Sequence, residues 1–322
     1  MLKFFFATVF FLGTIANTLS AYELSIAAIF QNEGPFLQEW IEYHRMVGVE
    51  HFWLYNDKST DNWKEILQPY IEEKIVEVID WPSQDFAHHE KNQVNAYKDA
   101  LIKSTGATKW LALIDIDEYI LPAGERTVTE CLSKHFAHAA GVYINWRNFG
   151  TGGVYLQAGK SMLFRLTACS DNYHPENGTG KSIVRPECTR PDDVWNAHQF
   201  VLKPDVYYYN GDAQRLKFSE LGLNLDMKVH NKFLRINHYT MHDENFFHNT
   251  KLVRIRGGGR EESLILAHYH QFNKEQDTAI INFIREKHPK MYKKYWKSRV
   301  PPKGHKPWRK STAGNIKQVV TK

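Results

Sequence analysis

The sequence has few cysteines, and the motifs of several large enzyme classes are missing from it. Three cysteines among 322 residues allow at most one internal disulfide, so the fold does not depend on a disulfide framework. A hydrophobic content of 43% with a charged content of 24% excludes a disordered or collagen-like chain. The length permits one large domain or two small ones, each with a sizeable core.

We find no Gly-x-Ser-x-Gly nucleophile elbow, no Walker loop and no dinucleotide-binding fingerprint. His89-Glu90-Lys91-Asn92-Gln93 resembles the zinc motif His-Glu-x-x-His, but Gln93 stands where the second histidine is required. These absences disfavour the enzymes built on those motifs, zinc proteases included.

Only the N-terminus carries an apolar run long enough to suggest targeting. Lys3 precedes about 13 apolar residues, and the small residues Ser20 and Ala21 close the segment, which is the pattern of a signal peptide. A membrane span needs about 20 apolar residues. We therefore expect residues 1–21 to be a signal peptide, cleaved after Ala21, or a short membrane anchor. Either kind of segment predicts an exported or membrane-associated protein. Its location would be the secretory-pathway lumen in a eukaryote, or the inner membrane, the periplasm or the exterior in a bacterium.

The charge is concentrated at the C-terminus. The chain has a net charge of +5, yet residues 285–322 hold 13 Lys and Arg against the single acid Glu286. We expect residues 22–298 to form one domain and residues 299–322 a flexible basic tail. Such a tail could bind an anionic membrane surface, and the alternative is a tail that is only solvated. We expect no nucleic-acid partner.

Strand and helix patterns alternate in the first half of the chain. Strand–helix–strand repetition predicts right-handed crossovers and a mostly parallel sheet flanked by helices. The predicted strands cover residues 24–30, 51–55, 74–81 and 110–114, and the predicted helices cover 35–47, 61–70 and 85–104. The second half is less regular, with strands predicted over 142–148 and 228–237, a long loop over 170–195 and a last helix over 275–295.

Acidic residues follow three of the predicted strands. Glu33, then Asp57 with Asp61, and then Asp115 with Asp117 occupy the carboxyl ends, where ligands bind in such sheets. Asp57 could accept a hydrogen bond from a ring N–H of a base. Asp61 could do the same or cap the next helix.

The segment Asp115-Ile116-Asp117-Glu118 directly follows an apolar strand. Because burying unpaired carboxylates is very costly, these side chains should face water or a cation. Two carboxylates in this arrangement can reach one Mg²⁺ or Mn²⁺ ion that keeps positions open for substrate phosphates. A turn that only caps a helix is the alternative. Among the histidines, His238 is the best candidate ligand because it follows a predicted strand.

Asn177-Gly178-Thr179 is an N-glycosylation acceptor sequence, relevant only in a eukaryotic host.

Taken together, the ordered motifs resemble glycosyltransferase family 92 and its bacterial relatives. The resemblance runs from about residue 24 to 255. It rests on the following segments: Gln31-Asn32-Glu33, Glu39-Trp40-Ile41-Glu42-Tyr43-His44, Tyr55-Asn56-Asp57-x-Ser59-x-Asp61, Asp115-x-Asp117-Glu118-Tyr119, Trp146-Arg147-Asn148-Phe149-Gly150-Thr151, Lys181-Ser182-Ile183-Val184-Arg185-Pro186 and Ile236-Asn237-His238-Tyr239.

The resemblance implies a GT-A-type α/β fold with an irregular, acceptor-side second half. The resemblance also implies roles for individual residues. Asn32, Glu33 and Asp57 would contact the nucleotide sugar, with Asp57 on the base. Asp115, Asp117 and His238 would bind the metal, Asp117 most directly, and Lys181 and Arg185 would neutralise the diphosphate.

An inverting transfer needs a general base, for which Asp243 and Glu244 are the candidates and Asp212 a weaker one. His242 departs from the basic residue, Lys or Arg, expected there.

The sequence thus predicts a metal-dependent, inverting glycosyltransferase that uses Mn²⁺ or Mg²⁺. The donor would be a nucleotide sugar, a UDP-sugar such as UDP-galactose, and the acceptor a glycan or another hydroxyl compound. The alternatives are a non-catalytic carbohydrate- or surface-binding protein on a decayed transferase fold, and a metal-dependent nucleotidyltransferase.

Overall fold

A nine-stranded, mixed sheet with helices on both faces organises the protein. The structure is a computed structural model that describes residues 21–83, 89–156, 160–216, 228–257, 259 and 261–297. The N-terminal segment up to residue 20 and the basic tail from residue 298 lie outside the described residues. The expectations of a signal peptide or anchor, of a flexible tail and of its membrane partner therefore stay predictions.

The first half contains nine elements. They are β1 (Tyr22–Phe30), α1 (Gly34–Met46), β2 (His51–Asn56), α2 (Trp63–Glu72), β3 (Val76–Asp80), α3 (His89–Ser104), β4 (Thr108–Leu113), β5 (Glu118–Pro122) and α4 (Val128–His135). The seven elements predicted over this stretch are all present among the described residues, and residues 85–88 of the helix predicted over 85–104 lie outside them. The short strand β5 and helix α4 were not predicted, because neither is long enough to show a clear hydrophobic period.

The second half is built from shorter pieces. They are β6 (Gly141–Asn148), β7 (Ala168–Cys169), β8 (Gly180–Val184), β9 (Tyr208–Asn210), β10 (Leu234–His238), α5 (Glu244–Phe246), a π-helical turn (Phe247–Lys251), α6 (Leu252–Gly257), α7 (Glu262–His270), β11 (Glu275–Gln276), α8 (Ala279–Lys287) and α9 (Pro289–Lys297).

The single last helix predicted over 275–295 is wrong. Proline cannot donate the backbone hydrogen bond of a helix interior, and Pro289 starts a new helix after the break at His288. The strand predicted over 228–237 is also shorter than expected and begins at Leu234.

The strand order across the sheet is β3-β2-β1-β4-β8-β6-β10-β5, with β9 attached to β6. Strand β1 pairs in parallel with β2 and β4, β2 with β3, and β6 with β9 and β10. Strand β8 runs antiparallel to β4 and β6, and β5 antiparallel to β10. The predicted α/β architecture with a mostly parallel central sheet is confirmed.

Alternate residues of β1 enter two different cores, as the period of a strand requires. Leu24, Ile26 and Ala28 join the core that contains Trp40 of α1. Ala27 and Ile29 join the core on the other face, which contains residues of α3. The sheet is therefore covered on both faces, and its functional groups are confined to the strand ends and loops.

All three cysteines are free, so no disulfide supports the fold. Among the described residues, no helix has both the length and the apolar character needed to cross a bilayer.

Candidate functional site

The acidic segment after β4 folds into a closed turn. The backbone N–H of Glu118 donates to the carbonyl oxygen of Asp115 at 3.1 Å, and the Asp115 N–H donates to Glu118 Oε2 at 2.9 Å. Glu118 is fully buried. Its burial, together with the nearby charges of Asp115 and Asp117, raises its pKa well above the usual value, although Lys181 opposes this. Glu118 therefore acts as a structural member of the turn.

Three donors hold the carboxylate of Asp115. Gln93 Nε2 and the Tyr97 hydroxyl donate to Oδ1 at 2.6 and 3.0 Å, and Lys181 Nζ lies 3.1 Å from Oδ2. Burial opposes the ionisation of Asp115, but the Lys181 ammonium keeps its pKa below the usual value. Asp115 is therefore an ionised carboxylate whose two oxygens are already engaged.

Asp117 has a different environment, because only one of its oxygens is engaged. Lys251 Nζ lies 2.6 Å from Oδ2, whereas Oδ1 accepts no hydrogen bond within the described part of the chain. Oδ1 faces His238 Nε2 at 3.6 Å. Burial again opposes ionisation, but Lys251 and His238 hold the pKa of Asp117 far below its usual range.

The hydrogen-bond network assigns the tautomer of His238. Asn148 Nδ2 donates to Asn177 Oδ1 at 3.1 Å, which turns Asn148 Oδ1 towards His238 Nδ1 at 2.9 Å. Nδ1 therefore carries the proton and Nε2 presents a lone pair to Asp117. Burial lowers the pKa of His238 to about 4, although Asp117 opposes this, so the imidazole is neutral at neutral pH.

Two lone-pair donors facing each other at 3.6 Å are suited to a cation between them. A carboxylate oxygen and an imidazole nitrogen are both ligands of Mn²⁺, and Mg²⁺ accepts the carboxylate. Among the described residues, no three His, Cys, Asp or Glu side chains are arranged to hold a metal. A cation bound here would therefore take two protein ligands and fill its other positions with water and substrate oxygens.

Strand β10 brings these groups together from distant parts of the chain. It lies between β6 and β5, and its register places His238 opposite both Asn148 and Glu118. The Tyr239 N–H then donates to the carbonyl oxygen of Asp117 at 2.8 Å. The carboxyl end of β10 therefore supports the acidic turn directly.

Glu33, Asn32 and Asp57 lie in the loops after β1 and β2. Glu33 is buried, and its Oε2 lies 3.3 Å from His242 Nε2. Asn32, with a positive φ of 57°, accepts a hydrogen bond from the Thr60 N–H at 2.7 Å. Asp57 is buried and accepts a hydrogen bond from the Ser83 N–H at 2.7 Å. These contacts tie the loops to each other at the same sheet edge as Asp115.

Asp61 does not cap α2, since the N-cap of that helix is Asn62. Its carboxylate instead accepts a hydrogen bond from Gly34 at the start of α1, at 2.7 Å.

Lys181 and Arg185 lie at opposite ends of β8. Because β8 is antiparallel to β4, Lys181 reaches Asp115, whereas Arg185 stacks on Trp110 with its guanidinium 4.3 Å from the ring centroid. Arg185 also donates to the carbonyl oxygens of Ala139 and Ala137. Four strand residues span about 13 Å. Arg185 therefore lies away from Asp115, and its expected role on the diphosphate stays a prediction.

The two candidate bases have different surroundings. Asp243 is buried and accepts hydrogen bonds from the N–H groups of Phe246, at 3.0 Å, and Leu156, at 2.8 Å, so it serves as the N-cap of α5. Glu244 accepts a short hydrogen bond from the Thr151 hydroxyl, and its Oε2 lies 3.1 Å from His248 Nε2. Of the two, Glu244 lines a cavity.

Glu244 and His248 line a cavity of about 410 Å³. Thr151 and Asn273 add polar groups to its wall, and Phe247 and Tyr269 add aromatic rings. A volume in this range is usual for small-molecule sites.

Asp212, the weaker candidate, lies elsewhere and pairs with His230 at 3.0 Å.

Several residues of the site gave no interpretable signal in the sequence. Lys251 carries no motif of its own, Asn148 was matched only as part of the segment Trp146–Thr151, and Tyr97 lies among apolar helix positions. Gln93 was recognised only as the residue that spoils a zinc motif. His242, whose role was open, is buried between the rings of Phe36 and Phe246, with centroid distances of 4.0 and 4.5 Å.

The sequence model of glycosyltransferase family 92 matches residues 22–253. The chain belongs to glycosyltransferase family 92. The matched span begins at β1 and ends just after Lys251, so it contains the acidic turn and its partners, whereas Tyr269 and Asn273 of the cavity wall lie beyond it.

Curated relatives agree with this assignment. A family 92 protein of Ricinus communis is 26% identical over 195 residues, which cover 59% of this chain and 34% of that protein. The β-1,4-galactosyltransferase galt-1 of Caenorhabditis elegans is 30% identical over 176 residues, covering 52% of this chain and 40% of that protein. The chain spans about a third of the length of the family 92 relatives from plants.

The structural alignments are looser. The crystal structure of S. aureus TarS 1–349 aligns with a TM-score of 0.39 and 15% identity, covering 84% of this chain and 73% of that one. Glucosyl-3-phosphoglycerate synthase from Mycobacterium tuberculosis, in complex with Mn²⁺, UDP and glucosyl-3-phosphoglycerate, aligns with a TM-score of 0.29 and 11% identity, covering 52% and 58%. These TM-scores are too low to define a shared fold.

Proposed function

We propose that this chain is a divalent-metal-dependent glycosyltransferase that moves a sugar from a nucleotide-sugar donor to a hydroxyl group of a glycan. The donor is a UDP-sugar, with UDP-galactose the first to test because one curated relative is named a β-1,4-galactosyltransferase. The transfer inverts the anomeric configuration. The observation that carries the proposal is the pair Asp117 Oδ1 and His238 Nε2, which face each other at the edge of the sheet.

Asp117 and His238 would hold Mn²⁺ or Mg²⁺. When bound, such a cation supplies Lewis-acid stabilisation to the departing diphosphate. The Lys181 ammonium offsets the charge of Asp115, and Lys251 offsets that of Asp117. The four groups therefore give the acidic edge a nearly balanced charge that a diphosphate can approach.

The loops after β1 and β2 would receive the nucleoside. Asp57 and Asn32 lie there. Gln31 Nε2 donates to the carbonyl oxygen of Asp57 and the Asn32 N–H donates to the Ser59 hydroxyl, and these bonds fix the two loops against each other. A rigid platform lowers the entropy cost of ordering a bound base. We assign the base contact to Asp57 and the sugar-side contacts to Asn32 and Glu33.

The cavity lined by Glu244 and His248 would receive the acceptor. Lys251 belongs to the same π-helical turn as His248, so the cavity adjoins the acidic edge. Glu244 would take the proton from the acceptor hydroxyl. At the same time the acceptor oxygen would attack the anomeric carbon of the donor sugar, and the bond between that carbon and the diphosphate would break. The electron pair of that bond leaves with the nucleoside diphosphate.

Thermal unfolding of the full chain tests the donor and metal assignment. We expect UDP to raise the melting temperature only in the presence of Mn²⁺, with GDP and CMP giving smaller shifts. Ligand at 100 times its Kd stabilises the native state by about 2.7 kcal/mol. The ligand-induced shift should disappear in Asp117→Asn, whatever the melting temperature of that variant alone.

Asp192→Asn is the matched control, because the Asp192 side chain is 99% exposed. It should respond to UDP and Mn²⁺ as the wild type does. A UDP response that survives in Asp117→Asn would contradict the metal assignment. No response to any nucleotide would contradict a nucleotide-sugar donor and favour a carbohydrate-binding protein.

A further inference from the structure

Lys251 is a largely buried lysine that the function proposed above uses only to offset the charge of Asp117. Its ammonium lies 2.6 Å from Asp117 Oδ2. The structure thus places a lysine side chain directly on the carboxylate that should bind a dication.

The backbone around Lys251 departs from an ordinary helix. Residues Phe247–Lys251 form a π-helical turn between α5 and α6. Such turns are rare and are found frequently at functional sites. Phe247 and Leu252, at either end of the turn, are buried in one apolar cluster. The wide turn between these anchors carries Lys251 to Asp117.

The comparison with Lys181 shows what is particular to Lys251. Lys181 pairs with Asp115, whose other oxygen is held by Gln93 and Tyr97. Both oxygens of that carboxylate therefore already have partners. Asp117 keeps Oδ1 without a hydrogen-bond donor among the described residues, so one oxygen is open to a cation while Lys251 holds the other.

A dication on Oδ1 and an ammonium on Oδ2 would repel each other within one buried carboxylate. At such short separations the repulsion is substantial even with an effective dielectric constant of about 20. A cation bound to Asp117 Oδ1 therefore weakens the ion pair between Asp117 and Lys251. The anion available to take the ammonium in exchange is the diphosphate of the donor.

We propose that Lys251 is an exchangeable counter-ion. It occupies Asp117 in the free protein, opposes the binding of a divalent cation alone, and moves to the diphosphate when cation and nucleotide bind together. This inference rests on the function proposed above. It makes Lys251 a ligand of the donor and a source of coupling between metal and nucleotide.

Lys251→Gln tests the inference, because glutamine can still donate a hydrogen bond to Asp117 but carries no charge. Calorimetric titration of the full-length variant with Mn²⁺ alone should show affinity about tenfold higher than wild type or more, since the opposing charge is gone. Titration with UDP at saturating Mn²⁺ should show affinity about tenfold lower, since one charge-assisted hydrogen bond is lost. A merely structural lysine would not move the two affinities in opposite directions.

Lys274→Met is the control, because Lys274 is exposed, and both affinities should match the wild type. Lys251→Arg keeps the charge and serves if the glutamine variant does not fold. Its Mn²⁺ affinity should stay near the wild-type value, with Mn²⁺-dependent UDP binding retained; a large change in either would overturn the proposal.

The outcomes separate the two proposals. If the wild type binds Mn²⁺ and UDP but Lys251→Gln binds Mn²⁺ with an unchanged or lower affinity, the exchange mechanism alone is overturned. An unchanged UDP affinity in that variant overturns the contact between Lys251 and the diphosphate. A wild-type chain that binds neither Mn²⁺ nor UDP overturns the proposed function and this inference with it.

Discussion

At the scale of single residues, position along a strand decides function more than residue type does. Lys181 and Arg185 are both basic and four residues apart, yet one neutralises Asp115 and the other packs on Trp110 at the far end of β8. The motif alone could not separate them, because it does not show that β8 runs antiparallel to β4. The structure supplies that direction.

This difference predicts that substitutions at the two positions affect different properties, stability at one and UDP binding at the other. Arg185→Gln should lower the free energy of unfolding by about 1–3 kcal/mol, because it loses hydrogen bonds to two carbonyl groups and a stacking contact, while the UDP affinity stays unchanged. Lys181→Gln should weaken UDP binding measurably in the presence of Mn²⁺. Urea unfolding and calorimetry of both variants measure the two quantities. A UDP affinity that falls in Arg185→Gln would support the original assignment.

Asn177 shows a similar gap between motif and environment. It heads a glycosylation acceptor sequence, but its side chain is buried and engaged. Its Nδ2 donates to the carbonyl oxygen of Asp171, and its Oδ1 accepts from the Ser170 hydroxyl and from Asn148. Asn177 is therefore a support for Asn148, which orients His238.

We predict that the folded, soluble protein carries no glycan at Asn177 when it is produced in a eukaryotic secretory host. A glycan there would prevent the buried contacts, so any glycosylated chains should be found in the misfolded fraction. Mass spectrometry of the tryptic peptide from the soluble fraction measures the occupancy. A soluble, folded fraction with a glycan at Asn177 would contradict the burial.

At the scale of elements, the regular first half was predictable and the second half largely was not. Helix α1 shows a clear apolar stripe that includes Phe36, Trp40 and Ile41, and the structure buries all three. The π-helical turn and the short strand β8 have no such period, because their positions depend on contacts with distant strands. Consequently the sequence pointed to Asp115, Asp117 and His238 at strand ends, but not to Lys251.

The pairing of β6 with β8 predicts a sensitive position at Gly180. A Cβ atom there would lie 1.9 Å from the carbonyl oxygen of Ile144, so β8 would have to move. Gly180→Ala should lower stability by about 1–3 kcal/mol and should also weaken Mn²⁺-dependent UDP binding, because Lys181 is the next residue.

Gly106→Ala is a useful comparison for thermal unfolding and calorimetry. Gly106 has open space around it but a φ of 78°, so alanine should cost about 1–2 kcal/mol of backbone strain and leave UDP binding intact. Equal UDP affinity in Gly180→Ala and wild type would show that β8 tolerates the shift.

At the scale of the whole molecule, buried titratable groups give the stability a dependence on pH. Burial raises the pKa of Glu39 in α1 to about 7, although hydrogen bonds from Ser161 and Met162 oppose this. The folded state therefore binds this proton more tightly than the unfolded state. The resulting stabilisation is complete below pH 4.5 and is lost as the pH rises through 7.

We predict that the free energy of unfolding depends less on pH in Glu39→Gln than in the wild type. Relative to the variant, the wild type should lose about 3 kcal/mol of unfolding free energy between pH 4.5 and 7.5. Urea unfolding at several pH values gives the difference, with Glu286→Gln, whose side chain is 65% exposed, as the control. A constant difference between wild type and Glu39→Gln would contradict the raised pKa.

The strand order has a consequence for the growing chain on the ribosome. Strand β5 follows β4 almost directly in sequence, yet β8, β6 and β10 separate them in the sheet. The nascent chain therefore presents residues 115–118 long before β10 has been synthesised to pair with β5. During that interval Asp117 has neither His238 nor Lys251 beside it, and its acidic turn stays in water. Pairing of β5 and completion of the acidic edge are thus one late event, and a chain released before residue 234 would lack β10 and leave β5 and the site unfinished.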